Sequence, residues 1–229
     1  MKSIEKSQKT EKLAYNKYIQ HSAVVDEPND LITFAEKKVA KITKQQQAKL
    51  NALSIELKSG NETKVSAAIK ILQTNGHANI LPELVELLKT KPSQKIRAEL
   101  MELLNDLRDS SVAETMIELI KDENNKSVLQ ELLSAIWGSK VDYSQYLPEF
   151  IAIAVDGDFM IALECLTIIE NLEGPFEERL VLESQLHLRD YVEDSAPKEE
   201  KKAKIMSEIA LIIKDLDNMD HDDIDFFNE

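Results

Sequence analysis

The chain has 229 residues, of which 43% are hydrophobic and 31% are charged, so it can bury a core and does not belong to the mainly disordered class. Only five glycines and six prolines are present, few for a sheet-rich fold, and no apolar run approaches the about 20 residues that cross a bilayer. The single cysteine, Cys165, excludes an internal disulfide, and the N-terminus lacks a continuous apolar stretch, which together favour a cytoplasmic protein.

The net charge of −14 is spread unevenly along the chain. Residues 1–60 hold 11 basic and 7 acidic residues, whereas residues 122–196 hold 4 basic and 16 acidic residues. A strongly acidic segment repels phosphate backbones and favours a protein partner with a basic patch. Solubility alone is the alternative explanation of the same charge.

The N-terminal part contains a polar arm followed by a predicted helix. Residues 1–27 are polar and lysine-rich, which is typical of a frayed arm or a weak amphipathic helix. Residues 28–60 keep the apolar spacing of a helix. Thr33 and Glu36 have the spacing of a capping box, although the Asn-Asp pair after the preceding proline could cap the helix equally well. We expect this helix to cap one end of the segment that follows.

Residues 61–192 contain a repeat with a period of 31–32 residues. Four segments align, beginning at residues 64, 95, 127 and 158. In each segment three apolar side chains stand four and then three residues apart, which places them on one face of a helix. The columns are Val65, Ile96, Val128 and Phe159; Ile69, Leu100, Leu132 and Leu163; and Leu72, Leu103, Ala135 and Leu166. These segments are the predicted A helices of four helix pairs.

A second helix, the B helix, is predicted after each A helix. The first three B helices span residues 79–89, 111–121 and 145–154, and the fourth runs from Pro175 towards Val192. A Leu-Pro-Glu sequence begins the first and third of them, and proline is tolerated there because amides in the first helical turn have no internal partner. One pair of this length cannot bury enough apolar surface alone, so we expect the pairs to stack into an all-α solenoid.

The C-terminal part is predicted to contain a linker, one helix and an acidic tail. Residues 193–216 begin as a linker and continue as a helix with the apolar stripe Ile205, Ile209, Ile212, Ile213 and Leu216. We expect this helix to pack on the last repeat. Residues 217–229 are rich in aspartate and predicted to be disordered. Their side chains Ile224, Phe226 and Phe227 could anchor the tail to a basic pocket as a docking peptide, with a solubilising tail as the alternative.

The repeat block resembles the short HEAT-type repeats of α-solenoid proteins. The first A helix comes closest, with Val-Ser-Ala-Ala at residues 65–68, then Leu72, and Asn-Gly at residues 75–76. The chain departs from the pattern because only Arg97 keeps the basic residue after the first column, and because a ladder of Asp and Arg is missing. The resemblance implies a right-handed α-solenoid of about four helix pairs with helical caps, serving as a scaffold, adaptor or assembly factor.

The B helices would supply most of the concave surface of such a solenoid. On this implication the exposed partner-binding positions are Glu83, Glu86, Glu114, Glu118 and Glu149. Because Glu86 and Glu118 occupy matching places in successive B helices, they predict an acidic groove, with ordinary solvent-facing glutamates as the alternative. We therefore expect a non-catalytic protein-interaction scaffold. The sequence does not determine the oligomeric state.

No residues combine into a recognisable catalytic or metal site. The aspartates of the tail lack the glycine and final glutamate of a calcium loop, and no histidine pairs at zinc-ligand spacing with another or with Cys165. No metal or other cofactor is therefore predicted. Some HEAT-like proteins are lyases or glycosylases, so an enzyme using Cys165 is one alternative, although its place beside Leu166 favours a structural thiol. Nucleic-acid binding by the weakly basic residues 1–60 is another.

Overall fold

Ten α-helices and three short 3₁₀ turns make up the residues that the computed structural model describes, namely 43–75 and 78–225. The side chains of Asn75 and of residues 217–225 are not included in this description. Over these residues the chain has no β-strand, and no helix is long and apolar enough to cross a membrane. The arm expected over residues 1–27 and the capping box expected at Thr33 and Glu36 lie outside the described residues.

The helices follow the alternation of A and B helices that the repeat predicts. They are α1 (Lys44–Leu57), α2 (Glu62–Asn75), α3 (Leu81–Lys89), α4 (Gln94–Asn105), α5 (Val112–Lys121), α6 (Leu129–Gly138), α7 (Leu147–Asp156), α8 (Phe159–Glu170), α9 (Glu178–Glu193) and α10 (Glu200–Asp225). The 3₁₀ turns are Ala78–Ile80, Glu123–Val128 and Ser144–Tyr146. Each of the four predicted A helices is thus paired with a B helix.

Polar side chains fix where several of these helices begin. Thr43 and Gln46 form a capping box at α1, in which each side chain accepts a hydrogen bond from the backbone amide of the other, at 3.2 and 2.9 Å. Ser93 and Asp158 accept from the third backbone amide ahead of them and so cap α4 and α8. Gly60 ends the first turn after α1 with a φ of 69°, a conformation that glycine adopts without strain.

The helices stack in two layers. Helices α2, α4, α6, α8 and α10 pack successively on one another in the A layer, and α7 packs extensively on α9 in the B layer. Helix α1 contacts both α2 and α3, so it takes the place of a B helix before the first pair. Helix α10 contacts α8 and α9 and takes the place of a fifth A helix. The two helices therefore extend the alternation by one helix at each end, and the handedness of the solenoid stays a prediction.

The predicted apolar columns form the core, except in the last A helix. Ten of the twelve column side chains are buried, whereas Phe159 and Leu163 in α8 are only half-buried. The buried residues of α8 are Ala162, Cys165, Leu166, Ile168 and Ile169. The predicted 31-residue step into the fourth A helix is therefore wrong, because Cys165 and Leu166 follow the buried pair Leu132 and Leu133 at 33 residues. Since α8 is apolar on nearly every side, its sequence fits either register, and packing against α6, α7 and α10 selects one.

A ladder of polar contacts joins successive A helices. Its acceptors in α6 and α8, Glu131 and Glu164, are 33 residues apart, which agrees with the step between the buried pairs. The contacts link Ser66 to Glu99 at 2.9 Å, Arg97 to Glu131, and Gln130 to Glu164 at 3.3 Å. Trp137, whose side chain is 47% exposed, also donates its indole N–H to Glu164 at 3.1 Å. The sequence lacks the Asp and Arg ladder of closer HEAT matches, yet glutamates supply an equivalent tie between neighbouring A helices.

The C-terminal helix is longer than the sequence predicts. Helix α10 buries Met206, Ile209 and Ile213 and continues to Asp225, nine residues beyond the boundary expected at Leu216. The helix thus includes residues 217–225, and disorder of the tail over residues 217–229 stays a prediction. Residues 200–225 contain no glycine or proline, and adding residues to an established helix costs little compared with nucleating one, so the packed first half propagates into the acidic segment.

The difference in burial within the second column leads to a stability prediction. We expect Leu132→Ala to lower the free energy of unfolding by about 2–5 kcal/mol, because Leu132 is fully buried. Leu163→Ala should cost at least about 1 kcal/mol less, because its side chain already contacts solvent. Urea denaturation followed by circular dichroism measures both values. Equal losses would show that Leu163 occupies the core register after all.

Candidate functional site: an acidic groove between B helices

A surface groove of about 430 Å³ lies beside α5 and the start of α7. Its lining residues are Glu114, Ile117, Glu118, Lys121, Asp122, Tyr146 and Glu149. Ile117 is buried at the floor, Glu114 and Glu118 are exposed, and Tyr146 and Glu149 are half-buried. The groove therefore combines an apolar floor and an aromatic ring with four carboxylates and one ammonium group.

The carboxylates surround the tyrosine closely enough to affect its ionisation. Burial, together with the negative charges of Glu114, Glu149 and Glu118, raises the pKa of Tyr146 above its ordinary value. The phenol is neutral near pH 7 even at its ordinary pKa, so Tyr146 presents a ring and a hydroxyl, rather than a charge, to an incoming group. No ion pair holds any of the three glutamates in the described part of the chain.

The groove exists because two successive B helices, α5 and α7, pack poorly on each other. Helix α7 packs extensively on α9 but barely touches α5. The 3₁₀ turn Ser144–Tyr146 leads into α7, and Pro148 in the first turn of that helix is buried. The turn thus carries Tyr146 to the gap between the two B helices, where it stays partly exposed.

Three of the five predicted glutamates meet in this groove, and two do not. Glu83 is half-buried and accepts a hydrogen bond from the Ser54 hydroxyl at 3.5 Å, which ties α3 to α1. Glu86 pairs with Lys89 at 2.7 Å on the surface of α3. Neither lines the groove, so the equivalence of Glu86 with Glu118 along the repeat does not make them one site.

The predicted docking aromatics are not part of this site. Ile224 lies near the end of α10, where side chains are not described, and Phe226 and Phe227 lie outside the described residues. Their role in binding stays a prediction.

Tyr146 and Lys121 are groove residues that the sequence analysis missed. A signal for Tyr146 was present, because it directly precedes the second Leu-Pro-Glu sequence, at the position that Ile80 holds before the first. Ile80 is buried, whereas Tyr146 is half-buried. An amphipathic ring that replaces a core aliphatic residue at a repeated position indicates a changed environment.

Cys165 is completely buried and lies in the core of the A layer. Its relative exposure is 0%, and burial followed by the nearby charge of Glu164 raises the pKa of the thiol. A buried thiol with a raised pKa is a poor nucleophile, because the thiolate is the reactive form. Among the described residues, no group of three His, Cys, Asp or Glu side chains is placed to hold a metal ion.

A comparison with protein families identifies the repeats over part of the chain. Residues 50–137 match the family model for HEAT repeats. The resemblance to HEAT repeats is confirmed for this segment. It contains α2 to α5 and most of α6, and it includes Glu114 and Glu118 of the groove but not Glu149. No curated protein and no solved structure matches the chain. HEAT repeats generally mediate protein–protein interactions and are typically non-catalytic.

The unpaired state of the groove glutamates predicts that they do not stabilise the fold. We expect the triple variant Glu114→Gln, Glu118→Gln, Glu149→Gln to change the free energy of unfolding by less than about 0.5 kcal/mol, because relief of like charges offsets the loss of two carboxylates in first helical turns. Glu131→Gln should instead lower it by about 0.5–1 kcal/mol, because it weakens the pair with Arg97. Urea denaturation measures both. If the triple variant lost as much free energy of unfolding as Glu131→Gln, these glutamates would be shown to stabilise the fold.

Proposed function

We propose that this protein is a non-catalytic interaction scaffold whose acidic groove holds a basic segment of a partner protein. The observation that carries the proposal is the convergence of Glu114, Glu118 and Glu149 around Tyr146, in a gap of the B layer. Proteins with HEAT repeats generally bind other proteins, and the groove lies on the second helices of the pairs, which such solenoids use for binding.

Lysine or arginine side chains fit the chemistry of the groove. A cation within about 6 Å of a tyrosine ring is attracted to its face, and carboxylates around the ring add charge complementarity. The long aliphatic stem of either residue can lie along the apolar floor at Ile117. A partner of this kind would associate faster at low salt, since the attraction is screened over about 10 Å at 0.1 M ionic strength.

A cytoplasmic location is supported by the single cysteine, which is buried and unpaired. The burial of Cys165 gives no support to an enzyme that uses its thiol. Nucleic-acid binding by residues 1–60 has no support in the described residues, where the candidate site is acidic.

The groove proposal predicts how partner binding responds to charge. The chain would be used as bait in its native lysate, and the most enriched partner would then be purified and titrated against variants. We expect the triple glutamine variant of Glu114, Glu118 and Glu149 to weaken binding at least about tenfold. Tyr146→Leu, which keeps the bulk but loses the aromatic face, should weaken it about threefold. Raising the salt concentration should weaken the wild type more than the triple variant.

A matched control separates the groove from net charge. Glu62→Gln, Glu102→Gln and Glu170→Gln together remove the same charge from exposed positions outside the groove, and we expect this variant to bind within about twofold of the wild type. The proposal fails if both triple variants weaken binding equally, or if neither does.

The predicted docking tail gives an independent test of the same scaffold. Deletion of residues 217–229 should remove those partners that Ile224, Phe226 and Phe227 anchor, while partners of the groove are retained. Pull-downs with the full chain and the truncated chain, compared by mass spectrometry, measure this. Substituting the three apolar residues with serine in the full chain controls for loss of the last turns of α10. An unchanged set of partners would contradict the docking role of the tail.

A further inference from the structure

Helix α10 is the last helix of the A layer and packs on α7, α8 and α9. Among the side chains of residues 200–216, Met206, Ile209 and Ile213 are buried, and Ile205, Ile212 and Leu216 are half-buried. Helix α8, with 12 residues, buries five side chains, and α6, with 10 residues, buries four. Because α10 lies at one end of the A layer, it can open without breaking the packing of α2, α4, α6 and α8 on one another.

One charged side chain supplies the hydrogen bonds between α10 and the other helices. The Lys202 ammonium group donates to the carbonyl oxygens of Val155 and Gly157, both at 2.6 Å. Among the described side chains of residues 200–216, no other makes a hydrogen bond or ion pair to a different helix. The two acceptors belong to the last turn and the C-cap of α7, where carbonyl groups lack partners within the helix and the helix dipole is negative.

The surroundings of Lys202 concentrate negative charge and exposed carbonyl groups. Its Nζ lies 5.5 Å from the centroid of the Tyr191 ring, and the Lys198 Nζ lies 5.0 Å from the same ring. Lys198 donates in turn to the carbonyl of Asp194 at 2.8 Å, at the end of α9. A cavity of about 300 Å³ lies beside these groups, and the residues that line it include Asp156, Asp190, Asp194 and Glu199. The ends of α7 and α9 thus bring backbone carbonyls and acidic residues around the two lysines.

We propose that Lys202 is a charge-dependent latch, and that α10 is a cap that opens separately from the repeats when this charge is lost. Without the ammonium group, two helix-end carbonyls lose their donor, and the docked helix is held by the apolar packing of its buried and half-buried side chains alone. Opening would uncover the face of α8 that α10 now covers, including the Phe159 ring, which lies 5.9 Å from the Lys201 Nζ. Loss of the Lys202 charge would therefore expose an A-helix surface without unfolding the repeats.

Hydrogen exchange of the full chain tests the latch. We expect Lys202→Met, which keeps the aliphatic stem and removes the charge, to raise amide exchange in residues 203–213 about tenfold or more, while α2 to α6 keep their wild-type rates. Lys204→Met is the matched control, since Lys204 lies on the same helix and pairs only with Glu200 at 2.7 Å. It should leave the exchange of residues 203–213 within about twofold of wild type.

Three outcomes would overturn the latch. Unchanged exchange in Lys202→Met would show that the lysine does not hold α10. Equal increases in Lys202→Met and Lys204→Met would show that only helix charge matters. A rise spread evenly over α2 to α10 would show that the cap opens only when the whole fold opens.

Discussion

Each A helix in this protein depends on its neighbour to cover its apolar side chains. Ile69, Leu100 and Leu132 are fully buried, yet each lies on a helix of only 10–14 residues, which cannot bury its own apolar stripe. Stacking solves this by covering one column with the next. The period of the sequence, the alternation of A and B helices and the short turns all follow from the need to repeat one stacking step with little change.

This dependence explains which parts of the fold the sequence predicts. The helix pairs were predictable because a column such as Val65, Ile96 and Val128 must stay apolar wherever it is buried from both sides. The step into α8 was not predictable, because that helix is apolar on nearly every side and its register is set by packing against α6, α7 and α10. Lys202 gave no signal either, since its acceptors are carbonyl groups about 45 residues away along the chain.

The sequence predicted that the candidate site is acidic, but not which glutamates line it. Exposed glutamates on B helices indicated an acidic surface, and Glu114, Glu118 and Glu149 do line one groove. What selects these three is the poor packing between α5 and α7, a tertiary feature that leaves no periodic mark. Glu83 has the same chemistry and position within its helix, yet it contacts Ser54 instead because α1 lies against α3.

The apolar columns that set the repeat lie on the A helices, whereas the proposed groove lies on the B helices, and this arrangement has a consequence for the end of the chain. The A layer carries the apolar columns and must remain closed, so its last member needs a cover, which α10 provides. Among the described residues, no further helix stacks on α10. Its outer side is largely polar, with Lys204, Glu208 and Lys214 exposed beside Leu211, which is 55% exposed. Since apolar burial then acts on one side of α10 only, the two hydrogen bonds of Lys202 to the end of α7 add a polar attachment at the start of the helix.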